Sequence, residues 1–291
     1  MKINGLLPWF GAKRSIAKRI VDAIGPHRCY FEPFCGSMAV LLSKPVVTME
    51  TVNDLHGDLI NLARVLQDRR QWPGFYRRLK RTLFSAQLWR ESADVIRNTP
   101  FAPGAERAYH YFVMCWFGRN GSAGSNGGVN FCVRYTSGGG SPGTRIASAV
   151  DSIPSWVERL RRVVILNMDA FELVAKIEDK LGTVIYLDPP YIVKGAKYQH
   201  DLKLPDHGRL ADMLQRFEKT RVVVSYYEHP DIDDLYPPAH WKKLAITTTK
   251  AMVSSGRRDQ AGRTDAPEIL LVNDKPCRDH GHGSRRDALR T

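Results

Sequence analysis

The chain has 291 residues, and 43% of them are hydrophobic, so it can build one large domain or two smaller ones. No apolar run reaches transmembrane length, no signal-peptide pattern is present, and the five cysteines show no framework spacing, which excludes membrane-spanning and disulfide-rich secreted classes. Lysine and arginine outnumber aspartate and glutamate by 43 to 30, and this net charge of +13 favours an anionic polymer as partner.

The first sixty residues alternate helix and strand signals. Apolar residues recur at helical spacing over 11–24, and helices are also predicted over 37–44 and from residue 55 onward. Short strands are predicted over 29–34 and 46–54. This alternation predicts a parallel sheet that binds ligands at the carboxyl ends of its strands.

The pattern changes after about residue 62. Residues 76–97 form a basic helical stretch, and residues 107–117 are rich in aromatic side chains. Nine glycines between Gly118 and Gly143 favour a loop or hairpin that becomes ordered on a partner, whereas a plain surface linker is the alternative. The polar side chains that favour a binding loop are Arg119, Asn120, Asn130, Arg134 and Arg145.

Strands and helices alternate again from about residue 150. The predicted elements are a strand, turn and helix over 161–177, a strand over 183–187, a helix over 210–220, a strand over 221–227, and a closing strand pair over 241–249 and 268–274. We therefore predict one α/β domain, formed by residues 1–61 plus 159–277, with a mostly helical insert over residues 62–158. Residues 278–291 are polar and basic and predict a flexible tail.

Acidic residues occur where three of the predicted strands end. Glu32 precedes a glycine turn at Gly36, Asp54 ends the second strand, and Asp169 ends the strand that follows residue 161. A glycine turn after the first strand lets the backbone approach a ligand closely, and an acid after the second strand suits a ribose diol. Together these features fit a nucleoside cofactor.

The most informative motif is the sequence Asp188-Pro189-Pro190-Tyr191, which follows a buried strand. Two consecutive prolines cannot extend a hydrogen-bonded ladder, so they form a stiff turn. The carboxylate and a proline-fixed carbonyl can each accept one N–H of an exocyclic amino group, which frees the nitrogen lone pair to attack an electrophile. The tyrosine ring can stack on a base. The structural alternative is a tight turn capped by the aspartate.

Five blocks of sequence resemble, in order, the motifs of the Dam-type (group alpha) DNA adenine methyltransferases. They are PWFGAK (8–13), YFEPFCGSMAV (30–40), VNDLHGDLINL (52–62), DPPY (188–191) and VVVSYYEHP (222–230). The resemblance implies a Rossmann-like, S-adenosylmethionine-dependent fold with the target-recognition segment inserted in it. It implies catalysis at DPPY and transfer of a methyl group to N6 of an adenine flipped out of duplex DNA.

The family's motifs also imply which residues contact the cofactor. These are Trp9, Lys13, Glu32, Phe34, Gly36, Asp54, Asp169, Phe171 and Asp188. Two positions depart from the family pattern, because Met38 and Ala12 stand where glycine is common. Met38 could crowd the cofactor loop, and the sequence leaves the effect of Met38 and Ala12 on cofactor affinity open. No metal is implied, and the histidines of residues 280–283 lack partners at ligand spacing.

Basic and amide side chains of the insert are the predicted contacts to DNA. Arginine suits guanine and asparagine suits adenine, whereas clustered lysine and arginine suit phosphates; a solvated helix face is the alternative for the cluster. The phosphate candidates are Arg77, Arg78, Lys80 and Arg81, and the candidates in the glycine-rich segment are Arg119, Asn120, Asn130 and Arg134.

Other functions remain open at this point. Related motifs begin with serine for cytosine N4 and with asparagine for protein glutamine, so Asp188 favours adenine. An RNA adenine substrate, or a DNA-binding protein that has lost catalysis, are the rivals. We expect a cytoplasmic, nucleoid-associated monomer or homodimer. The recognition site and the biological role (self-protection, restriction partner or regulation) are not encoded in these motifs.

Overall fold

The computed structural model describes residues 3–119, 123–125, 129–133, 141–192, 200–249 and 265–275, with only the backbone described at 247–249 and 265–267. Seven strands are present among these residues: β1 Cys29–Glu32, β2 Met49–Asn53, β3 Val164–Leu166, β4 Thr183–Leu187, β5 Arg221–Tyr227, β6 Trp241–Thr249 and β7 Asp265–Asn273.

The helices flank this sheet and fill the insert. They are α1 Ala17–Ile24, α2 Ala39–Ser43, α3 Gly57–Gln67, α4 Trp72–Lys80, α5 Ala86–Asn98, α6 Ala105–Phe117, α7 Pro142–Leu160, α8 Ala170–Lys176, α9 Leu204–Gln215 and α10 Ile232–Leu235. Among the residues just described, no helix is long and apolar enough to cross a membrane.

All seven strands form one sheet in the order β3-β2-β1-β4-β5-β7-β6. The first five of these strands run parallel, whereas β7 runs antiparallel to both β5 and β6. The chain order reverses between β1 and β4, so the loops that follow these two strands diverge and leave a crevice at the carboxyl edge of the sheet. The predicted α/β fold and its closing strand pair are confirmed.

The centre of the sheet is buried on both faces. Every residue of β4 is buried, as a continuous apolar run in a parallel sheet predicts. One core cluster joins α1, α2, α3, α6 and α7 to one face of the sheet. A second cluster joins α8 and α9 to the other face. A rigid two-sided packing therefore holds the strand ends that carry the acidic side chains.

The insert is helical, as predicted, but it is continuous with the α/β domain. The predicted boundary at residues 61 and 62 lies inside α3, and the one at residues 158 and 159 lies inside α7. The guanidinium of Arg107 in α6 donates two hydrogen bonds to the carboxylate of Asp58 in α3, at 2.5 and 3.1 Å. Both side chains of this ion pair are largely buried.

The structure adds detail to two local predictions. The stretch over 76–97 is two helices, because α4 ends at Lys80 and Ser85 caps α5 by accepting a hydrogen bond from the Leu88 amide at 3.4 Å. Met38 does not crowd the cofactor loop. Its φ of +59° turns the side chain into the core, where it is fully buried, and it does not line the crevice.

Candidate active site

The loops after β1 and β2 are joined by one carboxylate. Asp54 Oδ2 accepts a hydrogen bond from the Gly36 amide at 2.8 Å, and its Oδ1 accepts one from the His56 amide at 2.9 Å. Burial raises the pKa of Asp54, and these two amide hydrogen bonds oppose the shift. Since a carboxylate offers about four lone-pair sites, roughly two remain for a ligand.

The crevice contains a cavity of about 310 Å³, at the lower end of the size range of small-molecule sites. All nine predicted cofactor residues line this one cavity: Trp9, Lys13, Glu32, Phe34, Gly36, Asp54, Asp169, Phe171 and Asp188. Pro190 also lines it, whereas Pro189 and Tyr191 do not. Residues that are far apart in the sequence therefore meet at one surface, including residues of the family-like blocks 8–13, 30–40, 52–62 and 188–191.

Trp9 closes one side of the cavity through close contact with two glycines. Gly36 has a φ of +43°, and a Cβ at this position would lie 2.9 Å from Trp9 Nε1. Gly124 has a φ of +78°, and a Cβ there would lie 2.5 Å from the Trp9 ring. The Phe10 amide also donates to the Ala123 carbonyl at 2.9 Å. The glycine-rich segment of the insert therefore contributes to the cavity wall.

Charged groups surround Asp188 at the end of β4. Lys13 Nζ lies 3.0 Å from Asp188 Oδ2 and 3.4 Å from Glu268 Oε1, and it also donates to the Gly11 carbonyl at 2.8 Å. Tyr191 donates from its hydroxyl to the same Glu268 oxygen at 2.8 Å. Its ring is buried, with Lys13 Nζ lying 4.9 Å from the ring centroid. This burial removes Tyr191 from the cavity surface.

Burial changes the protonation of two acids in the cavity. Desolvation raises the pKa of Asp188 to about 6. The charge of Lys13 and hydrogen bonds from Lys13 and Tyr191 lower this pKa, whereas the charge of Glu268 raises it. Desolvation also raises the pKa of Glu32 to about 8, so this side chain is protonated at neutral pH. Tyr30 donates from its hydroxyl to Glu32 Oε2 at 2.9 Å. Asp188 therefore remains the ionised acid of this pair at pH 7.

Sequence reasoning missed several residues of the site. Glu268 lies far along the chain, and nothing in its local sequence distinguishes it from an ordinary strand residue. His56 directly follows the second strand, so its position was a usable signal; its ring packs 5.4 Å from Trp9 and from Tyr111. Arg209 lies with its guanidinium 4.6 Å from the Phe171 ring centroid, and it also lines the cavity.

The predicted phosphate contacts are exposed on or beside α4. Arg78 forms an ion pair with Glu106 and stacks 3.6 Å from the Tyr109 ring centroid. Lys80 pairs with Asp151 at 2.9 Å. Three arginines, Arg77, Arg78 and Arg81, line a shallow open groove.

The glycine-rich segment is described only in part. The Arg119 amide donates to the Asn130 carbonyl at 2.8 Å, so these two candidates face each other across an antiparallel pair, and both side chains are exposed. Asn120 and Arg134 lie outside the described residues. Arg145 Nη2 donates to the Trp116 and Gly118 carbonyls, each at 2.7 Å, so this arginine ties α7 to the end of α6.

The family model for D12 class N6 adenine-specific DNA methyltransferases matches residues 9–250. The chain therefore belongs to this family. Its members are methyltransferases, which agrees with the strand order and with the position of the cavity. A search of curated proteins gives no match.

Comparison with solved structures gives distant matches. One is a precorrin 8W decarboxylase from Methanobacterium thermoautotrophicum, with 9% identity, a TM-score of 0.36 and coverage of 89% of each chain. Another is a SAM-dependent methyltransferase from Agrobacterium tumefaciens, with 9% identity and a TM-score of 0.37. The match covers 90% of the present chain but 60% of that chain.

Proposed function

We propose that this protein is a Dam-type (group alpha), site-specific enzyme that transfers a methyl group from S-adenosylmethionine to N6 of an adenine flipped out of double-stranded DNA. The observation that carries the proposal is the position of Asp188. Asp188 directly follows β4, and its carboxylate faces the cavity and lies 3.0 Å from Lys13. A stiff Pro189-Pro190 turn follows it.

The chemistry of the cavity fits the cofactor. The remaining lone pairs of Asp54 suit the two ribose hydroxyls. Gly36 leaves space that a Cβ would fill, which suits close approach of a ligand to the backbone. Phe34 and Phe171 offer apolar rings for the cofactor's adenine, and Asp169 lies beside Phe171 on the cavity wall. When bound, S-adenosylmethionine supplies a methyl group on a positively charged sulfur, with a neutral leaving group.

Asp188 and the carbonyl of Pro189 hold the target amine. Each accepts one N6–H, and this directs the nitrogen lone pair out of the ring plane and toward the methyl group. Orientation of this kind contributes roughly 7–11 kcal/mol relative to free encounter. Asp188 is ionised above about pH 6, so it is able to accept the proton that N6 loses once it is methylated.

Tyr191 stacks on the flipped base only if its ring turns toward the cavity. In the structure, the hydroxyl of Tyr191 binds Glu268, and the ring packs edge-on against Tyr227 with centroids 4.5 Å apart. Stacking therefore requires this hydrogen bond to break or to pivot. The gain from stacking on the base, about 1–3 kcal/mol, compensates for the loss of one such bond.

The insert binds the DNA. Arg77 and Arg81 are exposed beside the groove on α4, and their charge suits phosphates. Arg119 and Asn130 face solvent at the base of the glycine-rich segment and suit base edges. Asn120 and Arg134, which lie outside the described residues, suit base edges by residue type alone. Extrusion of the adenine costs a few kcal/mol, which contacts in the pocket recover.

Transfer of radiolabelled methyl groups tests the proposal. Wild-type protein and Asp188→Ala are incubated with labelled S-adenosylmethionine and with duplex DNA of mixed sequence, the same DNA as single strands, or structured RNA. We expect wild-type protein to label the duplex, and Asp188→Ala to lose about a hundred- to a thousandfold in rate. Asp212→Ala, at an exposed position of α9, is the matched control and should keep the parental rate.

Three results would contradict the proposal. Labelling by Asp188→Ala at near the parental rate would remove Asp188 from catalysis. Preferential labelling of RNA would identify RNA, and not duplex DNA, as the substrate. Duplex binding without transfer by the wild-type protein would identify a DNA-binding protein that has lost its activity.

A further inference from the structure

A second carboxylate lies behind the catalytic aspartate, on a strand that carries none of the family's motifs. Glu268 belongs to β7 and pairs across the sheet with Tyr227 of β5, the strand next to β4. Its side chain is 9% exposed. A buried carboxylate without partners is costly, so the contacts of Glu268 indicate what keeps it there.

Its partners are both residues of the active site. Glu268 Oε1 lies 3.4 Å from Lys13 Nζ and accepts the Tyr191 hydroxyl at 2.8 Å. Lys13 therefore lies between two carboxylates, since Asp188 Oδ2 is 3.0 Å away on the other side.

Among the residues that the structure describes, the other titratable groups that influence Asp188 do not alter this charge balance at neutral pH. Glu32 is protonated, because its pKa is raised to about 8 by desolvation. Three tyrosines near Asp188 stay neutral because burial raises the pKa of each: Tyr186, Tyr226 and Tyr227. Tyr191 acts as a hydrogen-bond donor. Lys13 thus contributes one positive charge, against the two negative charges of Asp188 and Glu268.

We infer that Glu268 is a positioning residue that gives this end of the cavity a net negative charge and draws Lys13 partly away from Asp188. The inference rests on the proposed function. A net negative charge favours a positively charged sulfonium over the neutral thioether that remains after transfer. It also leaves Asp188 free to accept N6–H of the target adenine.

The direction of charge movement explains why such a carboxylate is useful. During transfer the C–S bond breaks with its electron pair left on sulfur, and the N6–C bond forms with the nitrogen lone pair. Positive charge passes from sulfur to N6 and leaves as a proton to Asp188. A fixed negative charge nearby stabilises the positive charge at both positions, and it needs no rearrangement during the reaction.

Two substitutions separate the charge of Glu268 from its hydrogen bond. Glu268→Gln keeps an oxygen that accepts the Tyr191 hydroxyl but removes the charge. Tyr191→Phe removes the hydrogen bond and keeps the charge. Calorimetric titration of each protein with S-adenosylmethionine and with S-adenosylhomocysteine measures the preference of the site for the cationic sulfur. Thermal melting of each variant checks that it is folded.

For Glu268→Gln we expect affinity for S-adenosylmethionine to fall about three- to tenfold, and affinity for S-adenosylhomocysteine to change by less than about twofold. Tyr191→Phe should keep the parental ratio of the two affinities. If Glu268→Gln has the parental ratio of the two affinities, whether or not both affinities fall, the inference is overturned. If Glu268→Gln does not fold, Glu268→Met removes the same charge, and we expect the same change in the ratio of the two affinities.

The wild-type titration separates this inference from the proposed function. A wild-type protein that binds neither ligand contradicts the proposed function. A wild-type protein that binds and transfers methyl groups, together with a Glu268→Gln variant that keeps its preference for the cation, contradicts only the role of Glu268.

Discussion

The α/β domain and the helical insert use charge in opposite ways. At the strand ends, Lys13, Asp188 and Glu268 are largely buried, and Lys13 Nζ lies 3.0 Å from Asp188 and 3.4 Å from Glu268. On the insert, Arg78 and Lys80 pair with acids at exposed positions. The buried carboxylate of Asp188 is fixed by the fold, and burial raises its pKa, whereas exposed ion pairs contribute little to stability and exchange partners easily. The first arrangement suits catalysis, and the second suits a polyanion.

The largest predicted effect concerns the ion pair that joins the two regions. Arg107→Met leaves Asp58 largely buried without its partner, so we expect the free energy of unfolding to fall by about 3–5 kcal/mol. Chemical denaturation measures this change. Arg90→Met, at an exposed position of α5, is the control and should change the same quantity by less than about 0.5 kcal/mol. Equal effects of both substitutions would show that the insert is not joined to α3 by this pair.

The next effect tests how rigid the cofactor loop is. Gly36→Ala requires a left-handed backbone and brings a Cβ to 2.9 Å from Trp9, so the loop or the ring must move. We expect affinity for S-adenosylmethionine to fall at least about tenfold, since the backbone term alone costs roughly 1–2 kcal/mol. Calorimetric titration measures this affinity.

Gly74→Ala is the matched control for that substitution. A Cβ at Gly74, inside α4, meets no atom within 4 Å. The Gly74→Ala substitution should stabilise the protein by about 0.5–1 kcal/mol and leave cofactor affinity unchanged. A Gly36→Ala variant that binds cofactor normally would show that the loop adjusts freely and would weaken the contrast with the insert.

The sequence alone predicts the parts of the structure that depend on local motifs, and it misses those that depend on long-range contacts. The sheet, the glycine turn and the predicted cofactor residues at strand ends, such as Asp54 and Asp188, follow from local motifs, whereas Trp9 and Lys13 are predicted from the family resemblance of residues 8–13. Glu268 follows from neither, because it reaches Tyr191 across 77 residues through the antiparallel pairing of β5 with β7. The effect of Met38 could not be decided from the sequence, since the direction of its side chain depends on a left-handed φ that composition does not reveal.

The pH dependence of catalysis is a smaller effect that reports on the buried charges. Asp188 must be ionised to accept N6–H, so kcat/KM should fall as the pH drops below about 6. The charge of Lys13 lowers the pKa of Asp188. Lys13→Met should therefore raise that pKa and move the acid limb of the profile to higher pH, which single-turnover rates from pH 5 to 9 would measure. A limb that stays in place, or moves to lower pH, would contradict the assigned coupling.

The smallest effects belong to the exposed arginines. Arg77→Ala and Arg81→Ala should each weaken duplex binding by about two- to fivefold and reduce the salt slope by about one, because each removes one phosphate contact. Arg78→Ala should have less effect, since Arg78 is already paired with Glu106. Fluorescence anisotropy at several salt concentrations measures both quantities. Lys219→Ala, exposed on the α/β domain, is the control, and an equal loss there would remove the insert's special role.

Direct identification of the product tests the central claim. DNA from cells that express the wild-type protein or Asp188→Ala is digested to nucleosides and analysed by mass spectrometry. N6-methylated deoxyadenosine that depends on the wild-type protein, and is absent with Asp188→Ala, is the predicted result. Methylation at another atom, or the same amount of N6-methylated deoxyadenosine with both proteins, would contradict the account.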